Sequence, residues 1–176
     1  MNRKLKLWEL NRVSEEEFKT QKKNPIIVIL NDIRSLNNIG SFFRTSDAFK
    51  VEKIYLCGIT ATPPHREIQK TALGATETVS WEHKNSILEL VNELKEQGIK
   101  IASIEQAEKT TFLQDIPNLK YEKIALVFGN EVDGVDQDVI DASDFIIEIP
   151  QFGTKHSLNV SVCAGVVLWE FAKRNI

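Results

Sequence analysis

Three short stretches of this chain collect the side chains that could do chemistry. NDIRSLNNIGSFFRTSD (residues 31–47) holds Asn38 and Arg44, FGNEVDGV (128–135) holds Asn130 and Glu131, and IPQFGTKHSLNVS (149–161) holds Ser157 and Asn159. A guanidinium is a fixed fork of donors that suits a phosphate, so Arg44 is a candidate for one, with pairing to Asp47 as the plainer reading. A carboxylate at Glu131 could bind hydroxyls or an ammonium group or orient an arginine; it could equally be an acid favoured at a helix N-terminus. Ser157 could cap the last helix. A cap there leaves Asn159 unexplained, because a buried asparagine needs partners for its amide and a sugar-bearing ligand could supply them. Asn37, Asn38 and Gly40 read as left-handed turn positions before a helix, with Arg44 one turn beyond Gly40 and able to reach back over the junction.

Other chemistries are poorly supported. No G-x-G-x-x-G follows the first strand. Gly129 and Gly134 have the right gap for half of a phosphate loop, but Val135 and Asp136 follow where Lys and Ser/Thr should stand, and Glu131, Asp133 and Asp136 would repel phosphate. There is no G-x-S-x-G elbow. His65, His83 and His156 with Cys57 and Cys163 have no metal-ligand spacing, so no metal is expected. His156 has no evident acidic partner.

The elements that would position these stretches alternate. Ser14-x-x-Glu17 is a capping-box signature for a helix over 14–22, and IIVIL (26–30) reads as a strand buried on both faces. Further strands are expected at KIYLCG, IKIASIE, KIALVFG and FIIEIP. Helices are expected at SFFRTSDAF, PHREIQKTAL, SILELVNELKEQG (stopped by Gly98), QDVIDAS and the C-terminal apolar segment to about Lys173. The implied class is α/β, a mostly parallel sheet with helices on both faces. In such sheets ligands bind beyond the carboxyl ends of the strands, where all three stretches would converge.

Composition sets the remaining bounds. The 176 residues are 42% hydrophobic and 27% charged, which suits one globular domain with a substantial core. Two cysteines among apolar neighbours read as buried free thiols, and with no signal-peptide core or spanning segment the expected location is the cytoplasm, with no membrane partner. The net charge of −3 argues against nucleic acid on bulk charge alone. The first 23 residues nevertheless hold seven basic residues against four acidic ones, an arm that could meet phosphates or be a solvated helix face. The expected units are this arm, 1–24, and a single domain, 25–176.

Together the three stretches resemble the motifs of the SpoU (TrmH-like) branch of the SPOUT RNA methyltransferases. NNIGSFFRTSDAF resembles the first motif, LVFGNEVDGV the second and IEIPQFGTKHSLNVSVCAGVVLWE the third, in the family's order and spacing from about Pro25 to Ala172. Gln151 stands where many relatives carry methionine. The resemblance implies methylation of a ribose 2′-hydroxyl in tRNA or rRNA from S-adenosylmethionine, a C-terminal deep trefoil knot, and a homodimer. It places the catalytic set on Asn38, Arg44, Glu131, Ser157 and Asn159, and the cofactor around Ile104, Gly129, Asn130, Ile149 and Leu158. The branch acting on guanosine in tRNA is the nearest in appearance.

RNA, and not DNA, is then the expected partner. Its grip is assigned to Arg3, Lys4, Lys6, Arg12, Lys22, Lys23, Arg34 and Arg66, with salt-sensitive binding. A non-catalytic RNA-binding or assembly factor that kept the fold is the alternative, and a flavodoxin-like nucleotide binder a more distant one.

Overall fold

The computed structural model describes residues 2–175, so Met1 and Ile176, the outer ends of the two expected units, lie outside it. Seven strands form one sheet: β1 (Asn24–Asn31), β2 (Val51–Cys57), β3 (Trp81–Lys84), β4 (Lys100–Ile104), β5 (Thr111–Phe112), β6 (Ile124–Phe128) and β7 (Phe145–Glu148). Their order is β3-β2-β1-β6-β4-β7-β5, and every neighbouring pair is parallel. The helices are α1 (Glu15–Thr20), α2 (Leu36–Ala48), α3 (Arg66–Ala72), α4 (Ala75–Thr78), α5 (Ile87–Glu96), α6 (Gln137–Ala142) and α7 (Val160–Ala172). The expected α/β class with a parallel sheet is what the chain adopts. β3 and β5 were not anticipated, since WEHK is half-buried throughout and TF is too short to carry a pattern.

The period of two in β1 sorts its side chains onto two cores. Ile26, Val28 and Leu30 join Phe42, Phe43, Val167 and Phe171 on one face, while Ile27 and Ile29 join Leu90, Val91, Leu94 and Val139 on the other. Both faces are thus covered, by α2, α3 and α7 on one side and by α5 and α6 on the other. Each fully buried Leu, Ile or Phe contributes about 1.5–3 kcal/mol, so these two layers hold most of the folding free energy.

The register sets the functional end of the sheet. Leu30 of β1 pairs with Phe128 of β6, Phe128 with Ile104 of β4, and Ile104 with Ile147 of β7. The four strands therefore end within one residue of the same row, and the segments that follow them leave the sheet at nearly the same height.

The first junction is built differently from its expected form. Asn37, Asn38 and Gly40 lie inside α2, which begins at Leu36 with Ser35 as its N-cap, its side chain accepting from the Asn38 N–H. The left-handed residue of this junction is Asp32, at φ 53°. Gly40 is needed for space: a Cβ there would run into the Thr71 hydroxyl and the Ile68 carbonyl of α3. The seam is closed by the Thr71 hydroxyl, which donates to the Asn37 carbonyl at 2.9 Å.

Gly40→Ala should therefore lose about 1–3 kcal/mol by overpacking. Gly153→Ala, where a Cβ meets nothing within 4 Å, should be close to neutral. Urea unfolding of both variants at unchanged m-value checks the contrast.

Candidate active site

The row of strand ends opens into a cavity of about 450 Å³, a size suited to a nucleoside-like ligand. Ile104 and Phe128 reach it from the strands, the turn 129–134 forms one wall, and residues 147–149 and 157–160 with Cys163 form the other. Apolar faces of Ile104, Phe128, Ile147, Ile149, Leu158 and Val160 could hold a flat heterocycle, while backbone and side-chain polar groups rim it. All five positions expected to surround a cofactor (Ile104, Gly129, Asn130, Ile149 and Leu158) line this one cavity, as do Glu131, Ser157 and Asn159.

The turn after β6 is held by its own backbone. Asn130 and Gly134 exchange two N–H···O bonds at 3.1 Å, and the Asn130 Oδ1 accepts from the N–H of Val132 and of Asp133, both at 2.8 Å. Gly134 takes φ 74°, and a Cβ on Gly129 would collide with the backbone of Gly134 and Val135. The Asn130 side chain is therefore consumed in shaping the turn.

That turn projects Glu131 onto the start of α2. Its carboxylate accepts from the backbone N–H of Arg34 and Ser35, each at 3.2 Å, and from the Asn38 Nδ2 at 3.0 Å. No helix starts at Glu131; the N-terminus its carboxylate meets is that of α2, and in meeting it the carboxylate ties the second junction to the first. Partial burial opposes its charge, but the Asn38 amide and the backbone N–H donors more than offset this and hold the carboxyl below its ordinary range.

The third junction joins the same network. The Asn159 Nδ2 donates to the Asn38 Oδ1 at 3.3 Å. Its Oδ1 accepts from the N–H of Ser161 at 2.9 Å, from that residue's hydroxyl at 2.7 Å, and from the N–H of Val162 at 3.3 Å. Asn159, and not Ser157, is thus the N-cap of α7, and it is exposed where burial was expected. Ser157 lies exposed on the cavity wall.

Arg44 is the exception. It is exposed on α2 and makes no hydrogen bond or ion pair among the described residues; Asp47, its expected partner, accepts from the Thr78 hydroxyl at 2.5 Å instead. Arg44 lies six residues past Asn38, roughly 9 Å along the helix axis, and it does not reach back over the junction.

The expected RNA contacts also divide. Arg3 is exposed but paired with Glu9, and Lys23 packs half-buried onto the Phe18 ring and carbonyl, while Lys4, Lys6, Arg12, Lys22 and Arg66 are exposed and in no ion pair among the described residues. Arg34 stands at the cavity rim, 3.8 Å from Asp133.

Sequence reasoning missed Glu105 and Gln106, which follow β4 on the cavity floor. Glu105 accepts from the Val135 N–H at 3.1 Å, and the Gln106 Nε2 donates to the His156 carbonyl at 3.0 Å. The one available signal was their place directly after a buried strand. Cys57 and Cys163 are both free thiols, each pushed up to about 12, chiefly by burial.

The profile of the SpoU rRNA Methylase family matches residues 25–169, which contain all three junctions. The chain belongs to this family. Among SpoU relatives, the 23S rRNA (guanosine-2′-O-)-methyltransferase RlmB of Neisseria meningitidis is 31% identical over 92% of this chain and 64% of its own length. The chain therefore spans a little under two thirds of that relative. The TrmH/SpoU tRNA modifying enzyme of A. aeolicus superposes with a TM-score of 0.79 at 25% identity, over 92% of this chain and 80% of that one. An AdoMet-bound rRNA methyltransferase of Sinorhizobium meliloti gives a TM-score of 0.79 at 24% identity, over 88% and 58% of the two chains.

The Glu131 network has a defined acid response. Because its folded pKa is depressed, its contribution is complete above the ordinary value of 4.5 and is lost as pH falls through the lower folded value. The amide proton shifts of Arg34 and Ser35 should hold steady from neutral pH to about pH 5 and move below it. Glu131→Gln should abolish that movement.

Proposed function

We propose that this chain is an S-adenosylmethionine-dependent RNA methyltransferase that modifies a ribose 2′-hydroxyl. The observation that carries this reading is the Glu131–Asn38–Asn159 chain of hydrogen bonds, which gathers three remote segments at the mouth of a nucleoside-sized cavity. Family membership supports it, and so do the activities named for its relatives. S-adenosylmethionine, when bound, supplies an electrophilic methyl group on a sulfonium. The residues of the chain then have the task of alignment.

The apolar walls of Ile104, Ile149 and Leu158 suit the adenine, and the turn 129–134 offers backbone groups to the rest of the cofactor. Asn38, Glu131 and Asn159 fix the rim against which a ribose would be held, with Ser157 beside them. The guanidinium of Arg44 is a fork of donors with no acceptor, so its natural part is to clamp a phosphate or ribose and not to act as a base. We place tRNA, and within it guanosine, ahead of rRNA as substrate, on the resemblance alone. The exposed cations Lys4, Lys6, Arg12, Lys22 and Arg66 would meet its backbone in the cytoplasm. The C-terminal segment would thread a loop to make the deep trefoil knot of the family.

A homodimer completes the proposal. Val162, Val166 and Trp169 recur at one face of α7 and are 55%, 40% and 49% exposed, an apolar stripe suited to a second copy. Arg44, with no hydrogen bond or ion pair among the described residues, is then available to the site of the partner.

Incubating the protein with labelled S-adenosylmethionine and total tRNA or rRNA should label the RNA, and alkali-resistant dinucleotides should locate the mark on the 2′-oxygen. Arg44→Ala should lower turnover at least a hundred-fold, about 2.7 kcal/mol of transition-state stabilisation, with cofactor affinity within two-fold of the parent. Labelling that survives Arg44→Ala at near-parental rate rejects the clamp, and no labelling of any RNA leaves the non-catalytic binder as the better reading. On the dimer, Val166→Glu should convert the species seen by sedimentation to a monomer, while the far-ultraviolet circular dichroism is retained.

A further inference from the structure

The cavity is unbalanced in charge. Glu105, Glu131, Asp133 and Glu148 stand on its wall, and among the described residues no lysine, arginine or histidine does. Three of these carboxylates are engaged elsewhere. Glu131 is taken by Asn38 and two backbone donors, Glu148 accepts from the Thr110 hydroxyl at 3.0 Å, and Asp133 faces the Arg34 guanidinium at 3.8 Å. Glu105 has a different setting. Like Glu131 and Glu148 it is in no ion pair among the described residues, but it alone of the four accepts solely from backbone N–H groups, of Val135 at 3.1 Å and Gln106 at 2.9 Å, with no side chain holding it.

Its position is central. Glu105 follows Ile104, which is paired to Phe128 on one side and to Ile147 on the other, so it leaves the sheet at the middle of the cavity floor. A side chain on Gly134 would occupy the same space as its Oε2, so the turn is cut back to admit the carboxylate. Its field crosses the cavity: the Cys163 thiol on α7 is raised by burial first and by the Glu105 charge second.

We infer that Glu105 reads the charge of the cofactor, favouring S-adenosylmethionine over the thioether that remains after the methyl group has left. The inference rests on the methyltransferase reading. In that reaction the carbon–sulfur bond breaks with its electron pair going to sulfur, a carbon–oxygen bond forms, and the hydroxyl proton passes to solvent. The cofactor thereby loses one positive charge while keeping its shape. A carboxylate without a counter-cation, in a site partly withdrawn from water, weakens its hold on the product at that moment and speeds its release.

Calorimetric titration of the whole protein with S-adenosylmethionine and with S-adenosylhomocysteine tests this. The parent should prefer the sulfonium, and the preference should shrink as salt is raised. Glu105→Gln should reduce the ratio of the two affinities about five-fold or more by removing a unit charge, while Glu105→Asp should keep it. Gln106→Ala breaks the link to His156 without altering charge, and should weaken both ligands alike. A ratio unchanged in Glu105→Gln overturns the inference while leaving the methyltransferase reading in place. If Glu105→Gln does not fold, the salt dependence of the parent's ratio decides, and a salt-independent ratio overturns the inference. Parent protein that binds neither ligand overturns both.

Discussion

The site depends on a constraint in the sheet, the alignment of Leu30, Phe128, Ile104 and Ile147 in one row across four parallel strands. Side chains alternate faces along a strand, so a one-residue slip in any of these pairings would turn a buried isoleucine or phenylalanine toward the wrong layer. The hydrophobic cores thus enforce the register, and the register fixes where the following segments emerge. The Phe42 ring packs edge-on against Phe128 at 5.1 Å, which seats α2 over the same strand that delivers Glu131. Packing in the core and placement of the polar groups are consequences of one arrangement.

On that base, a single chain of hydrogen bonds links the three segments. Asn38 occupies its middle, donating to Glu131 and accepting from Asn159. It is nearly buried, so loss of either partner would strand an amide group away from water. Asn159 acts at two levels: its Oδ1 starts α7, and its Nδ2 reaches the network. The helix that fills the core therefore cannot be capped without also setting one wall of the cavity.

Much of this was legible in the sequence. Continuous β-branched runs such as IIVIL announced strands buried on both faces, and the Ile87, Leu90, Val91, Leu94 stripe announced α5. The three junctions were found because each follows a strand, at the carboxyl end where ligands bind in such sheets, and is rich in Gly, Asn and small polar residues. What failed has physical reasons. Asn and Gly favour turns locally, so the start of α2 was placed too late; packing against α3 outweighs that local preference, and Gly40 serves close contact in place of a left-handed turn. Ser157 and Asn159 are both good caps, and only the path of the loop distinguishes them. Arg44 was given a reach that the helix does not provide. Glu105 escaped notice because its meaning comes from spatial neighbours thirty and fifty positions away, Val135 and, through Gln106, His156.

The strand order also bears on how the protein is made. β4 has β6 and β7 as its neighbours in the sheet, and both follow it in the chain. β1 gains β2 early, but its other edge stays open until Ile124–Phe128 leave the ribosome. At about 5–20 residues per second, two of the most apolar strands spend several seconds with bare edges, open to association with other nascent chains. Biogenesis of this chain is therefore exposed to a delay that its finished structure conceals.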